Sequence, residues 1–365
     1  MTGPSRSANL RGRGGEGETL EERARRLVEF ARGRKRALVL THDNPDPDAI
    51  SSALALAKIL EEKAGVECTL AYGGLVGRAE NRALMRVLKL PFVRMHRVPI
   101  SSFDLVCMVD TQPEAQNHSL PIDRFPDVIV DHHPERPSSH RAAVAEVGGV
   151  YGATATILTE YLRVLGMEPT REVATALFYG IKADTRDLGR ETMPADVDAY
   201  VWLFPYTDKE ALARIEHPRL PPEYFRLFHT ALEKGLVFGN AVWTDLGSIY
   251  SPDMVAEVAE RHLSLEGMKW SLALATYDDH LFLSLRTNDR RMNAGRLIRD
   301  VVASHGGSAG GHGQMAGARL PVSELTESEV SELKLLLRER FLREWGVEDR
   351  EAVPMLEYRL DDASR

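Results

Sequence analysis

The sequence predicts an α/β protein: a parallel-sheet domain, a helical linker, and a smaller α/β domain. Three observations carry this. Apolar runs of strand length stop at polar turns and restart as helical patterns, which is the first half of a βαβ unit. The acid and histidine clusters up to His133 each sit just after such a run, where an open parallel sheet binds ligands. From Leu236 a second set of strand-like runs begins, beyond a stretch rich in proline and charge.

Taken in order, residues 1–17 are rich in Gly, Arg and Ser without periodicity and read as a disordered arm. The first domain covers 18–204. Thr19–Arg32 is an amphipathic helix with Leu20, Ala24, Leu27, Val28 and Ala31 on one face. Strand 37–41 feeds a stiff turn, where Pro45 and Pro47 alternate with acids, and then helix 49–62. Glu67–Tyr72 is a second strand, ended by Gly73-Gly74, and Arg78–Leu88 is a helix. The run FDLVCMV at 103–109 is the third strand and delivers Asp110; Val128–Val130 is the fourth and delivers Asp131, His132 and His133. Helices follow at 152–165 and 170–183, the second running into Asp184. Residues 205–235, with Pro205, Pro218, Pro221 and Pro222 among charged helical pieces, read as a helical linker. The second domain, 236–346, holds strands at 241–244, 269–276 and 281–285 and helices at 252–262, 293–304 and 324–345. A glycine-dense loop spans 306–313, and 347–365 is a polar tail.

At 365 residues the chain has room for two cores. Its net charge of −8 argues against coating long nucleic acid by charge alone, and leaves a local basic groove open. Cys68 and Cys107 lie in apolar runs and read as reduced core thiols. No apolar run approaches the ~20 residues of a membrane span, and the N-terminus lacks a signal-peptide core. A cytoplasmic protein without a membrane partner is therefore expected, and a homodimer is compatible with these bounds.

The turn THDNPDPDAISS at 41–52 holds a histidine and three aspartates within seven residues. Turn formation and a helix cap at Asp48 or Ser51 would explain one acid. Three acids so close repel one another unless a cation joins them. Strand ends bring His42, Asp46, Asp48, Asp110 and Asp131–His133 to one edge, and with Asp184 the candidate ligands are His42, Asp46, Asp48, Asp110, His132 and Asp184. A mixed oxygen and nitrogen set without thiols fits Mn²⁺ best, with Mg²⁺, Co²⁺ or Fe²⁺ next. Four carboxylates balance two dications, the arrangement that serves phosphate ester hydrolysis. Asp110, alone at the end of the most apolar strand, is the natural bridge. Asp131 reads as orienting His132 from behind.

Read together, HDNPDPDAISS, VDT, DHH and YGIKADT, in this order, resemble the four motifs of the DHH phosphoesterase superfamily. GGHGQMAG at 310–317 resembles the glycine-histidine motif of the substrate-binding domain in that superfamily's first subfamily, with Met315 where alanine is usual. The resemblance spans roughly 25–325. It implies one cation on His42, Asp46 and Asp110, a second on Asp48, Asp110, His132 and Asp184, and His133 at the scissile phosphate. It also implies that Arg286, Gly310, Gly311 and His312 hold the substrate's phosphate or base. Members of this layout hydrolyse short oligoribonucleotides and pAp, or cleave cyclic di-AMP or pApA. The expected activity is thus a two-metal phosphoesterase on short nucleotides. A single-strand exonuclease on longer substrates and a nucleotide sensor with weak turnover are the alternatives.

Overall fold

The computed structural model describes residues 17–289, 291–303, 305–347 and 351–359. Of the expected arm, residues 1–16 lie outside the described residues, as do 348–350 and 360–365 of the expected tail. The chain divides between Pro218 and Arg219 into two compact units.

The first unit runs α1 (Leu20–Ala31), β1 (Arg36–Leu40), α2 (Pro47–Ile59), β2 (Glu67–Tyr72), α3 (Ala79–Val87), β3 (Phe92–Arg94), β4 (Leu105–Val109), β5 (Val128–Asp131), β6 (Val144–Val147), α4 (Thr154–Val164), α5 (Arg171–Asp184), α6 (Pro194–Leu203) and α7 (Lys209–Glu216). Six strands form one sheet in the order β3-β2-β1-β4-β5-β6, and every pair is parallel. Successive strands walk outward from β1 to one side, then return to β4 and walk out on the other. Ala37 and Val39 of β1 pack toward the helices on one face, and Leu38 and Leu40 toward Met95, Phe103, Val106 and Met108 on the other. Burial on both faces is why these strands read as unbroken apolar runs.

Two local features draw the helices into place. Asp46 caps α2, its Oδ1 accepting from Ala49 N at 3.0 Å, and Pro47 starts the helix with a fixed φ. Gly180 lets α5 press against α2: a Cβ there would stand 2.2 Å from Ser51 Oγ and 3.1 Å from the Pro47 carbonyl. That contact delivers Asp184, one turn on, beside the start of α2.

The second unit runs α8 (Pro222–Lys234), β7 (Leu236–Phe238), β8 (Ala241–Ser248), α9 (Asp253–Leu263), β9 (Trp270–Tyr277), β10 (His280–Thr287), α10 (Ala294–Val302), β11 (Ser308–His312), β12 (Met315–Pro321), α11 (Glu327–Trp345) and β13 (Val353–Pro354). Its sheet has the order β11-β12-β10-β9-β8-β7-β13, antiparallel except between β8 and β9. α10 and α11 cover one face and α8 and α9 the other.

Two expectations change. The stretch expected as a linker is divided between the units: α7 buries Ala211, Leu212 and Ile215 in the first, and α8 buries Leu227 and Ala231 in the second. Each helix has an apolar face, and a face of that kind finds a core. The glycine-dense segment is an edge strand rather than a loop, with Ser308–His312 paired antiparallel to Met315–Arg319. Gly311 has φ +151°, and a Cβ there would stand 2.3 Å from the Met315 carbonyl, so this hairpin closes only around glycine. No helix among the described residues is long and apolar enough to cross a membrane.

Candidate metal centre

The strand order reverses between β1 and β4, so the loops leaving them bound a crevice at the carboxyl edge. His42 and Asp46 come from the loop after β1, and Asp110 directly follows β4. Asp131 ends β5, and His132 and His133 follow it. Asp48 enters from the first turn of α2, and Asp184 is the last residue of α5. The structure therefore gathers every candidate of the first unit into one place.

The donor atoms fall into overlapping groups. His42 Nε2 lies 3.5 Å from Asp110 Oδ2 and 3.8 Å from Asp46 Oδ1. His132 Nε2 lies 3.4 Å from Asp184 Oδ2 and 3.8 Å from Asp110 Oδ1. Donors of His42, Asp46 and Asp110 all lie within 4.8 Å of one another, as do those of Asp48, His132 and Asp184, and those of Asp110, His132 and His133. Asp110 faces the two imidazoles with different oxygens, the posture of a shared carboxylate. A cation holding its ligands at about 2.1 Å draws them to within about 4.2 Å of each other, so small movements close each group.

Both candidate histidine ligands present Nε2 and tie Nδ1 to a backbone carbonyl, at 2.9 Å for His42 on Asp43 and 3.3 Å for His132 on Tyr151. Such bonds fix the ring and its tautomer. Asp48 caps not its own helix but α4: Thr154 N donates to its Oδ2 at 2.8 Å and Ala155 N to its Oδ1 at 2.7 Å. Thr154 Oγ1 donates to Asp110 Oδ1 at 2.9 Å. Asp131 accepts from His133 Nδ1 at 2.8 Å and from Gln112 Nε2 at 2.7 Å, so it orients His133 rather than His132.

Reading the sequence missed these supports. Thr154 and Tyr151 hold three of the candidates, and Gln112 holds a fourth. Behind them the fully buried Asp196 accepts from Gly152 N at 2.8 Å and from Thr156 Oγ1 at 2.5 Å, pinning the loop that carries Tyr151. The one local signal was a threonine-rich opening to α4, in a helix with no side-chain cap of its own.

Electrostatics reflects the crowding. Burial, and then Asp110, Asp184 and Asp46, push the Asp48 carboxyl well above its ordinary range. Burial and Asp46 bring Asp184 up to about 6, against the pull of His132. Burial pulls His42 down, but Asp110 and Asp46 prevail and raise it well above 6.5. Burial also works against the cationic form of His133, and Asp131 overcomes it, raising the group to about 9. So much negative charge in one buried place, with oxygen and imidazole donors and no thiol among them, fits hard or borderline dications.

In the second unit, Arg286 on β10 lies opposite Met315 on β12, which lies opposite His312 on β11. Arg286 Nη1 donates to the Leu285 carbonyl at 3.0 Å and the Ala316 carbonyl at 3.3 Å. Gly310 and Gly311 precede His312 on the same strand, and these four residues belong to the second unit alone.

A parallel sheet with a carboxylate–imidazole centre at its switch point, joined to a mixed-sheet unit, defines the class. Residues 36–181 match the DHH family, N-terminal domain, and residues 238–339 match the DHHA1 domain. The chain belongs to the DHH phosphoesterase superfamily. It is 36% identical over 288 residues to the uncharacterised protein MJ1633 of Methanocaldococcus jannaschii, covering 78% of this chain and 58% of that one. It is 26% identical over 301 residues to the bifunctional oligoribonuclease and PAP phosphatase NrnA of Thermus thermophilus, covering 80% and 86%. Among solved structures it resembles an exopolyphosphatase-related protein from Bacteroides fragilis, with TM-score 0.70, 15% identity and coverage of 88% and 97%. It also resembles RecJ of Thermus thermophilus in complex with Mn²⁺, with TM-score 0.52, 16% identity and coverage of 89% and 55%.

Proposed function

We propose that the chain is a phosphoesterase that uses two divalent cations, Mn²⁺ foremost, to hydrolyse short oligonucleotides or small phosphonucleotides of the pAp, pApA or cyclic di-AMP class. One observation carries the reading: two groups of donors meet at Asp110, with His42 and Asp46 on one side and Asp48, His132 and Asp184 on the other. Cations held there supply Lewis-acid polarisation of a phosphoryl oxygen and an acidified water. His133, held by Asp131 through its Nδ1 at 2.8 Å, would donate a hydrogen bond from its other ring nitrogen to a phosphate in the crevice. Thr154 and Tyr151 hold the donors in place before substrate arrives, which lowers the reorganisation the reaction demands. A thiol nucleophile is a poor alternative, because burial brings Cys68 up to about 12 and Cys107 well above its ordinary value.

In this reading Arg286, Gly310, Gly311 and His312 hold the substrate's phosphate or base. The activity named for the Thermus thermophilus relative supports the substrate class, and we place the protein in the cytoplasm with such substrates. The test is a panel of pAp, pApA, cyclic di-AMP and oligonucleotides of 2 to ~24 nucleotides, with Mn²⁺ and with chelator. Cation-dependent release of phosphate or mononucleotide from at least one short member is expected. Release from none would end the proposal.

A further inference from the structure

We infer that the second unit carries a nucleobase platform, made of Tyr277, His280, Phe282 and Arg319, which engages a bound strand two nucleotide steps from the phosphate that Arg286 holds. The inference rests on the proposed nucleotide substrate and narrows it to oligonucleotides.

Strand β10 sends Leu281, Leu283 and Leu285 into the core beneath α10 and α11. By alternation His280, Phe282, Ser284 and Arg286 take the opposite face. On β12, Met315, Gly317 and Arg319 stand opposite Arg286, Ser284 and Phe282 and share that face. At its far end three rings and a guanidinium gather. The Arg319 guanidinium carbon lies 5.8 Å from the Phe282 ring centre, and its Nη2 lies 3.0 and 3.3 Å from the two ring nitrogens of His280. The Phe282 ring lies 6.2 Å from Tyr277, nearly edge-on, and 6.3 Å from His280. Phe282 packs one side on the α8–α9 cluster and is half-buried; Arg319 is exposed, and no carboxylate pairs with it among the described residues.

An exposed arginine over aromatic rings, on a chain of net charge −8, asks for a ligand both planar and anionic. Nucleobases stack on such rings and their phosphates meet the cation. Arg286 lies four residue steps along β10 from Phe282, about 13 Å along the strand, or about two steps of an extended nucleotide chain. In the row between, Ser284 is buried and the exposed passage lies over β12 and β11, where it is low: a Cβ on Gly310 would meet nothing within 4 Å, and one on Gly317 would reach only the Leu283 carbonyl at 3.4 Å. Beyond the platform the exposed Asp278 and Asp279 close the face with negative charge, which turns further phosphates away.

The experiment measures equilibrium binding of oligoadenylates of two, three and five nucleotides to the full chain in chelator, where turnover cannot intervene. Affinity should climb about tenfold from two to three nucleotides and level off. In Arg319→Ala the ratio of five- to two-nucleotide affinity should fall roughly fivefold or more. Phe282→Leu, which keeps an apolar side chain against α9, should lower the same ratio. Arg319→Lys should keep the salt-dependent part of the gain and lose the rest. A ratio at the unsubstituted value in Arg319→Ala, or no gain between two and three nucleotides in the unsubstituted chain, overturns the platform. Absence of hydrolysis with the length effect intact would count against the proposed activity and leave the platform standing.

Discussion

Asp110 has φ +57°, in the left-handed region that aspartate and asparagine tolerate better than other side chains. Its place after β4 turns the carboxylate toward both His42 and His132. Alanine would lose the carboxylate and be strained there, so Asp110→Asn is the cleaner probe. It keeps the conformation and an oxygen for Thr154, and removes one negative charge from a crowd of four. With Mn²⁺ the cation-dependent rise in unfolding midpoint should vanish, and turnover should fall by at least about 100-fold. Retained turnover at saturating Mn²⁺ would remove Asp110 from the centre. His42, Asp46, Asp110, His132 and Asp184 were legible because each lies where a strand or helix ends, a local fact. Thr154, Tyr151, Gln112 and Asp196 were not, because their partners lie far off in sequence and exist only after folding.

Among the elements, β1, β2, β4 and β5 were readable from apolar runs, and most helices from their faces. β11 was not, since glycine lowers strand propensity and the hairpin forms through backbone fit with β12. The second unit also holds a buried histidine outside any candidate site. His262 on α9 sits under the sheet with Thr244 Oγ1 3.0 Å from its Nδ1, and burial brings it down to about 4. The unfolded chain, with an ordinary value near 6.5, therefore binds this proton first as pH falls. Stability is full above about 6.5 and declines as pH drops toward about 4. Between pH 7 and 5 the loss should be about 2 kcal/mol, read as a lower urea midpoint in tryptophan fluorescence, to which Trp243, Trp270 and Trp345 of this unit contribute. His262→Gln cannot titrate and should flatten that dependence. An equal pH slope in both proteins would assign the effect to other groups.

For the whole molecule, charge and length bear on which substrates turn over fastest. The chain carries −8 overall, the candidate centre gathers four carboxylates, and Asp278 and Asp279 stand exposed in the turn between β9 and β10. A long polyanion thus gains contacts only over its first few nucleotides and meets repulsion beyond them. Two or three contacted phosphates predict a salt dependence of log(kcat/KM) on log[salt] with slope about −1.5 to −2, since each contact on a single strand contributes ~0.7. An extended basic track would give a far steeper slope. We therefore expect substrates of two to about five nucleotides to be hydrolysed faster, per 5′ end, than a strand of about 24. Time courses with 5′-labelled substrates of each length at two salt concentrations measure both quantities at once. Processive digestion of the long strand at the dinucleotide's rate or above, with steep salt inhibition, would favour a single-strand exonuclease instead.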